Sequence, residues 1–243
     1  MISIVLTYWN RPAQLAKTLQ SFKYSQSEDF NVLIIDNNSD QDIVLPELPY
    51  EVTIIKLNPG YHYLAAHNFG FWHALKKNPD IIIMQHAECY HQGDVISYAK
   101  KVTDETYISF GCYSLGEGEE PETVEIKDRC MTANGQSAWY NHPIYRPLNY
   151  QFCSAITAKT LKLLNGFDER FCAGIWYDDN YFLELIRRAG LQIELTAFPF
   201  VFHQWHPDGT TGSMDLINKN LALFTVLVPG NDKKSVHIYT PDL

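Results

Sequence analysis

Short apolar runs at residues 2–6, 32–35, 52–57 and 81–84 punctuate the first third of the chain, each rich in Val, Ile or Leu and too short for a helix. Between them the period changes. Leu15, Leu19 and Phe22 recur at helical spacing after Arg11-Pro12, where proline suits a first helical turn. A second helical pattern runs from about Tyr63 to Lys76. Buried strands alternating with helices predict an α/β fold, a mostly parallel sheet with helices on both faces. Ligands of such sheets bind beyond the carboxyl ends of the strands. The segments following the four runs are TYWNR, DNNSD, NPGYHYLAAHN and QHAEC, and all are polar.

The periodicity fades between residues 111 and 149, which hold several prolines and the acidic run GEGEEPE. A loop-rich segment is expected there, suited to an acceptor site or a lid, with the acidic run equally readable as a solvated loop. Order returns with an apolar stretch at 153–157 and a helix at 158–164, stopped by Asn165-Gly166. From Asp179 onward, Phe182, Leu185, Ile186 and Ala189 share a helical face that ends at Gly190. Strands are expected at 192–195 and 200–202, then a last helix from about 214 to 227.

The 243 residues carry 19 Lys and Arg against 28 Asp and Glu, a net charge of −9. That balance gives no overall electrostatic footprint for nucleic acid or for an anionic membrane. Five cysteines occur without any C-x-x-C pair, which argues for reduced thiols rather than a disulfide framework or zinc ribbon. The start, ISIVLTYWN, has no basic stretch ahead of an apolar core, and the apolar run at 221–228 is too short to span a bilayer. A cytoplasmic protein is expected, at most peripheral at a membrane, in one domain spanning residues 1–243.

There is no glycine-rich dinucleotide fingerprint, P-loop or G-x-S-x-G elbow. What remains is a scattered set of histidines and carboxylates. In extended backbone His86 and Glu88 point the same way and can reach one ion, and His203 or His206 of HQWH can add a nitrogen. Mixed imidazole and carboxylate ligation suits Mn²⁺ or Zn²⁺ better than Mg²⁺. The zinc deaminase pattern lacks its C-x-x-C half, and the zinc protease spacing H-E-x-x-H is not met. Asp178-Asp179 forms the second centre. Capping a helix start accounts for one carboxylate; two in a row, after Trp176 and Tyr177, exceed that need. The helix dipole is expected to keep such a carboxylate ionised, as a general base must be.

Together these motifs resemble the family 2 glycosyltransferases, which have the GT-A fold. ISIVLTYWNRP looks like that family's opening strand and nucleotide-contacting loop, and NVLIIDNNSD like its second strand. AAHNFGFWHAL is similar to the helix A-x-x-R-N-x-G-x-x-x-A, with His67 where arginine is common and Asn68 retained. LLNGFDERFCAGIWYDDNYFLELIRRAG resembles the segment G-F-D-E-x-F…E-D-x-D…R-R-A-G, and HQWH falls where a late histidine often helps hold the metal. The departure is at D-x-D, where this chain has His86-Ala87-Glu88.

The resemblance implies an inverting transferase with a nucleotide-diphosphate sugar, uridine-linked by preference, as donor and a glycan or other hydroxyl as acceptor. Residues 1–110 would be the donor half and 111–243 the acceptor and catalytic half. It assigns Asp179 as the base, with Asp178 second, and Asp36 to the base or ribose. Thr7, Tyr8, Asn10, Arg11, Asn58, Gly60, His67, Asn68 and His86 would line the donor site. Glu88, His203 and His206 would hold a divalent metal, Mn²⁺ or Mg²⁺, whose necessity the altered D-x-D leaves open. Two other readings stand beside it: a non-catalytic sugar-nucleotide or glycan-binding protein that kept the fold, and a metal-dependent hydrolase built on the histidines.

Overall fold

The computed structural model describes residues 1–128, 138–207 and 213–243. The chain opens with β1 (Ile2–Tyr8), α1 (Pro12–Ser21), β2 (Phe30–Asp36), β3 (Val52–Lys56), α2 (Tyr63–Leu75) and β4 (Ile81–His86). These match the expected elements to within one or two residues. Then follow β5 (Cys89–Gln92), α3 (Val95–Ala99), β6 (Thr106–Ser114), β7 (Ala138–Asn141) and β8 (Cys153–Thr157). The last third holds α4 (Ala158–Leu164), α5 (Asp178–Arg188), β9 (Gln192–His203) and α6 (Met214–Leu227).

One sheet results, in the order β3-β2-β1-β4-β8-β6-β9-β5, with β7 on the other side of β6. Its first four strands are parallel, as the βαβ alternation requires. The second half is mixed: β8 runs antiparallel to β4 and β6, β9 parallel to β6, and β5 antiparallel to β9. The two strands expected at 192–195 and 200–202 are one strand, β9. The pairing shifts opposite Phe110 and Gly111, so that Thr196 and Phe200 face adjacent residues of β6. The stretch expected to be loop-rich gains the end of β6 and all of β7, while residues 129–137 of it lie outside the described residues, as does Cys130.

Alternation along the strands divides the core. On one face Ile2, Ile4, Leu6 and Tyr8 join Leu15, Leu19 and Phe22 of the α1 side. On the other, Val5, Ile35, Ile82 and Met84 meet Phe71 of α2 and Phe182, Leu185 and Ile186 of α5. A sheet covered on both sides in this way leaves only its strand ends free for polar chemistry. The strand order reverses between β1 and β4, so the switch point lies beyond their carboxyl ends. Cys89, Cys112, Cys153 and Cys172 are free thiols. Among the described residues no helix is long and apolar enough to cross a membrane.

Candidate active site

A cleft of about 510 Å³ opens over that switch point. Thr7, Tyr8, Trp9 and Arg11 enter it from the end of β1, and His86 and Glu88 from the end of β4. Register explains the rest of the cluster. The antiparallel pairing of β5 with β9 sets Cys89 opposite His203, and the Gln204 amide donates to the Glu88 carbonyl at 3.1 Å. Residues more than a hundred positions apart thereby come to one point.

That point is a single oxygen, Glu88 Oε1. Arg11 Nη1 donates to it at 2.7 Å. His203 Nε2 lies 3.5 Å away, His206 Nε2 3.7 Å and His86 Nδ1 3.8 Å. Glu88 is buried, which pushes its carboxyl up, but the hydrogen bond from His203 and the facing imidazoles and Arg11 guanidinium outweigh burial and hold it well below the usual range. Burial drives His86 down to about 4 and also lowers His206. Imidazoles facing a carboxylate are a donor set for a transition metal, and His86, Glu88 and His203 offer ligand atoms within 4.8 Å of one another. The fit has one condition. A divalent ion and a guanidinium about 4 Å apart repel by roughly 8 kcal/mol at an effective dielectric of about 20, so an ion on Oε1 opposes Arg11 in its present place.

The opposite wall belongs to α2 and to the approach to α5. His67 Nε2 and Thr7 Oγ1 share a hydrogen bond of 3.0 Å, and burial holds the His67 imidazole neutral, its Nδ1 without a partner. Where arginine is common in the resembling motif, this position therefore carries no charge. Tyr63 lines the cleft and donates its hydroxyl to Asp178 Oδ1 at 2.8 Å. The Gln151 amide donates to Asp179 Oδ2 at 3.2 Å, next to Phe152, which also lines the cleft. Asp178 and Asp179 open α5, yet burial, and for Asp179 also the charge of Asp178, raises both carboxyls, Asp179 well above the usual range. The helix terminus was expected to keep them readily ionised; desolvation overrides it. Trp176 and Tyr177 just before them both have φ of +65°, an uncommon conformation for bulky residues. Asn220 of α6 holds that turn by donating to the carbonyls of Phe171 and Trp176.

Several candidate residues stand outside the lining, among them Asp178 and Asp179, which reach it only through Tyr63 and the Gln151–Phe152 backbone. Asp36 is buried and accepts from the Ser39 amide at 2.8 Å, so it shapes the turn while its neighbour Asn37 faces the cleft. Asn10 is paired with Asp40 through both side chains and the Asp40 amide. Asn58 and Gly60 are exposed in the turn after β3, Gly60 at φ +102°. Asn68 is fully buried and ties α2 to Phe167 and Glu169 through three hydrogen bonds. Trp9, Asn37, Tyr63 and Phe152 line the cleft but were not singled out as site residues from sequence. Trp9, Asn37 and Tyr63 had a signal, since they lie within three of the polar segments at strand ends; Phe152 had none.

The sequence profile of the family described as Glycosyl transferase family 2 matches residues 3–155. A search of curated proteins gives no match. Solved structures of similar shape include the Staphylococcus aureus TarS 1–349 complex with UDP-GlcNAc, at TM-score 0.62 and 12% identity over 93% of this chain and 65% of that one. The Pyrobaculum calidifontis mannosyltransferase PcManGT with GDP-Man and Mn²⁺ aligns at TM-score 0.57 and 13% identity, covering 86% of this chain and 58% of that one. The catalytic domain of Drosophila β1,4-galactosyltransferase 7 with xylobiose gives TM-score 0.56 at 13% identity, covering 96% and 81%. The chain thus spans less than two thirds of the length of the PcManGT and TarS chains.

Proposed function

Because the chain belongs to glycosyl transferase family 2 and has the GT-A fold, we propose that it moves a sugar from a nucleotide-diphosphate donor, uridine-linked by preference, to an acceptor hydroxyl with inversion. Structures of the same shape include complexes with UDP-GlcNAc and with GDP-Man, which supports this donor class. The observation that carries the reading is a cleft at the switch point lined by one carboxylate, Glu88, with a second carboxylate centre just behind its wall. Glu88 is held ionised among imidazoles at the switch point, and Asp178-Asp179 stand behind Tyr63 and Phe152 with raised pKa.

In this reading Tyr8, Trp9 and Asn37 flank the nucleoside, and Asp36 fixes the turn that presents Asn37. Asp179 accepts the proton of the acceptor hydroxyl as its oxygen bonds to the anomeric carbon. The bond from that carbon to the β-phosphate oxygen breaks on the opposite face, and its electron pair leaves with the nucleoside diphosphate. A carboxylate made more basic takes that proton more readily, and burial beside Asp178 raises the Asp179 carboxyl in that direction. A divalent ion held by Glu88, His203, His86 and His206 would supply positive charge for the leaving diphosphate, and the nitrogen-rich donor set favours Mn²⁺ over Mg²⁺. The exposed Trp176 indole offers a sugar face a stacking surface.

The test is release of free nucleoside diphosphate from a panel of UDP- and GDP-sugars with hydroxyl acceptors, with Mn²⁺, Mg²⁺ or a chelator. Acceptor-dependent release supports transfer. Release of free sugar without acceptor dependence marks a hydrolase, and donor binding without release a non-catalytic protein.

A further inference from the structure

Arg11 makes its one side-chain hydrogen bond among the described residues to Glu88 Oε1, and with a single N–H, although a guanidinium has five. It is also the only Lys or Arg lining the cleft among the described residues, as Glu88 is the only Asp or Glu. We propose that Arg11 is a transferable cation. It neutralises Glu88 in the metal-free protein, and a divalent ion arriving at Glu88 releases it to grip the phosphates of the donor. This rests on the donor reading above.

The argument is one of shared atoms. The oxygen that Arg11 occupies is the same atom that His86, His203 and His206 face, so the guanidinium stands where a coordinated ion would draw on the carboxylate. Once displaced, it has no second carboxylate in the cleft to turn to. A partly exposed arginine with unused donors in a fork is matched to phosphate oxygens, which accept two parallel bonds. Arg11 lies in the short link between β1 and α1, so its side chain can swing without moving either element. Metal and diphosphate then bind cooperatively through this side chain, beyond any direct contact between them. A fixed brace that merely orients Glu88 predicts the opposite sign, because removing it would loosen the metal ligand.

The experiment titrates the full chain with Mn²⁺ alone, followed by the resonance of free Mn²⁺, in wild type, Arg11→Met and Arg11→Lys, with Glu88→Gln as control. Arg11→Met is expected to bind Mn²⁺ about tenfold tighter than wild type, while Arg11→Lys, which keeps the charge, stays close to it. In the presence of Mn²⁺, UDP or GDP should bind Arg11→Met about tenfold more weakly. Equal or weaker Mn²⁺ binding by Arg11→Met overturns the proposal, as does unchanged diphosphate affinity. If UDP and GDP fail to bind wild type at all, the donor reading falls and takes the phosphate half of the proposal with it. Intact UDP or GDP binding with an Mn²⁺ affinity indifferent to Arg11 removes the inference alone.

Discussion

Glu88 and Asp179 show how environment moves the same functional group in opposite directions. Both are desolvated. Glu88 faces imidazoles and a guanidinium and stays ionised, whereas Asp179 faces another carboxylate and holds its proton to higher pH. Activity that needs ionised Asp179 rises with pH through its pKa, so burial and, after it, the charge of Asp178 set where that rise occurs. Asp178→Asn keeps an acceptor for the Tyr63 hydroxyl but removes the charge. The acid limb of kcat/KM is expected to move to lower pH in this variant, and a limb that stays in place, or moves up, contradicts the assignment. At this scale the chemistry was partly legible. His86, Glu88, His203 and His206 stood out because i, i+2 and i, i+3 spacings of ligand types are rare by accident. Tyr63 and Phe152 carried no such signal, since an aromatic that lines a cleft reads in sequence like one in the core. Asp36, a polar residue at a strand end, turns inward and holds the turn that contains Asn37, a role its type alone did not signal.

Among the elements, α2 has the most to position, carrying Tyr63 and His67 into the cleft and Asn68 against Phe167 and Glu169. It lies close against the sheet at Gly70, where an added Cβ would sit 2.6 Å from Val5 Cγ1 and 2.9 Å from Ile35 Cγ1. The glycine of AAHNFGFWHAL is therefore a spacing residue. Gly70→Val is the clean test, because Ala would recover about 1 kcal/mol of helix propensity and blur the sign. A loss of about 2 kcal/mol is expected from the urea midpoint; an unchanged or raised midpoint would show that helix and sheet can move apart freely. Apart from the short α3, the helices and the parallel strands were legible from their apolar runs and their start and stop residues. The short strand β5 and the long β6 were not. Tyr90, His91 and Gln92 read as polar, yet His91 is buried, its Nε2 paired with Gln85 Oε1 at 2.7 Å and its amide donating to Ser21 Oγ. A strand whose polar groups are satisfied by distant partners leaves no local pattern.

For the molecule as a whole, sheet order decides the site. The parallel half delivers the loop of Arg11 and the His86–Glu88 end side by side, and the mixed half returns β9 so that His203 lands beside them. The alternating first third foretold the parallel half; the antiparallel returns of β8 and β5 depend on long-range pairing that no short window contains. The resemblance to solved structures at 12–13% identity fits this view, since shape is held by apolar periodicity and strand order more than by particular residues. The central claim, that one cleft grips a nucleotide-diphosphate sugar and faces it with the Asp179 carboxylate, is tested most directly by Asp179→Asn. Donor affinity and turnover should be measured on the same preparation. The account predicts donor binding like wild type with turnover lower by roughly 10²-fold or more. Turnover close to wild type, or a loss explained wholly by weaker donor binding, would contradict it.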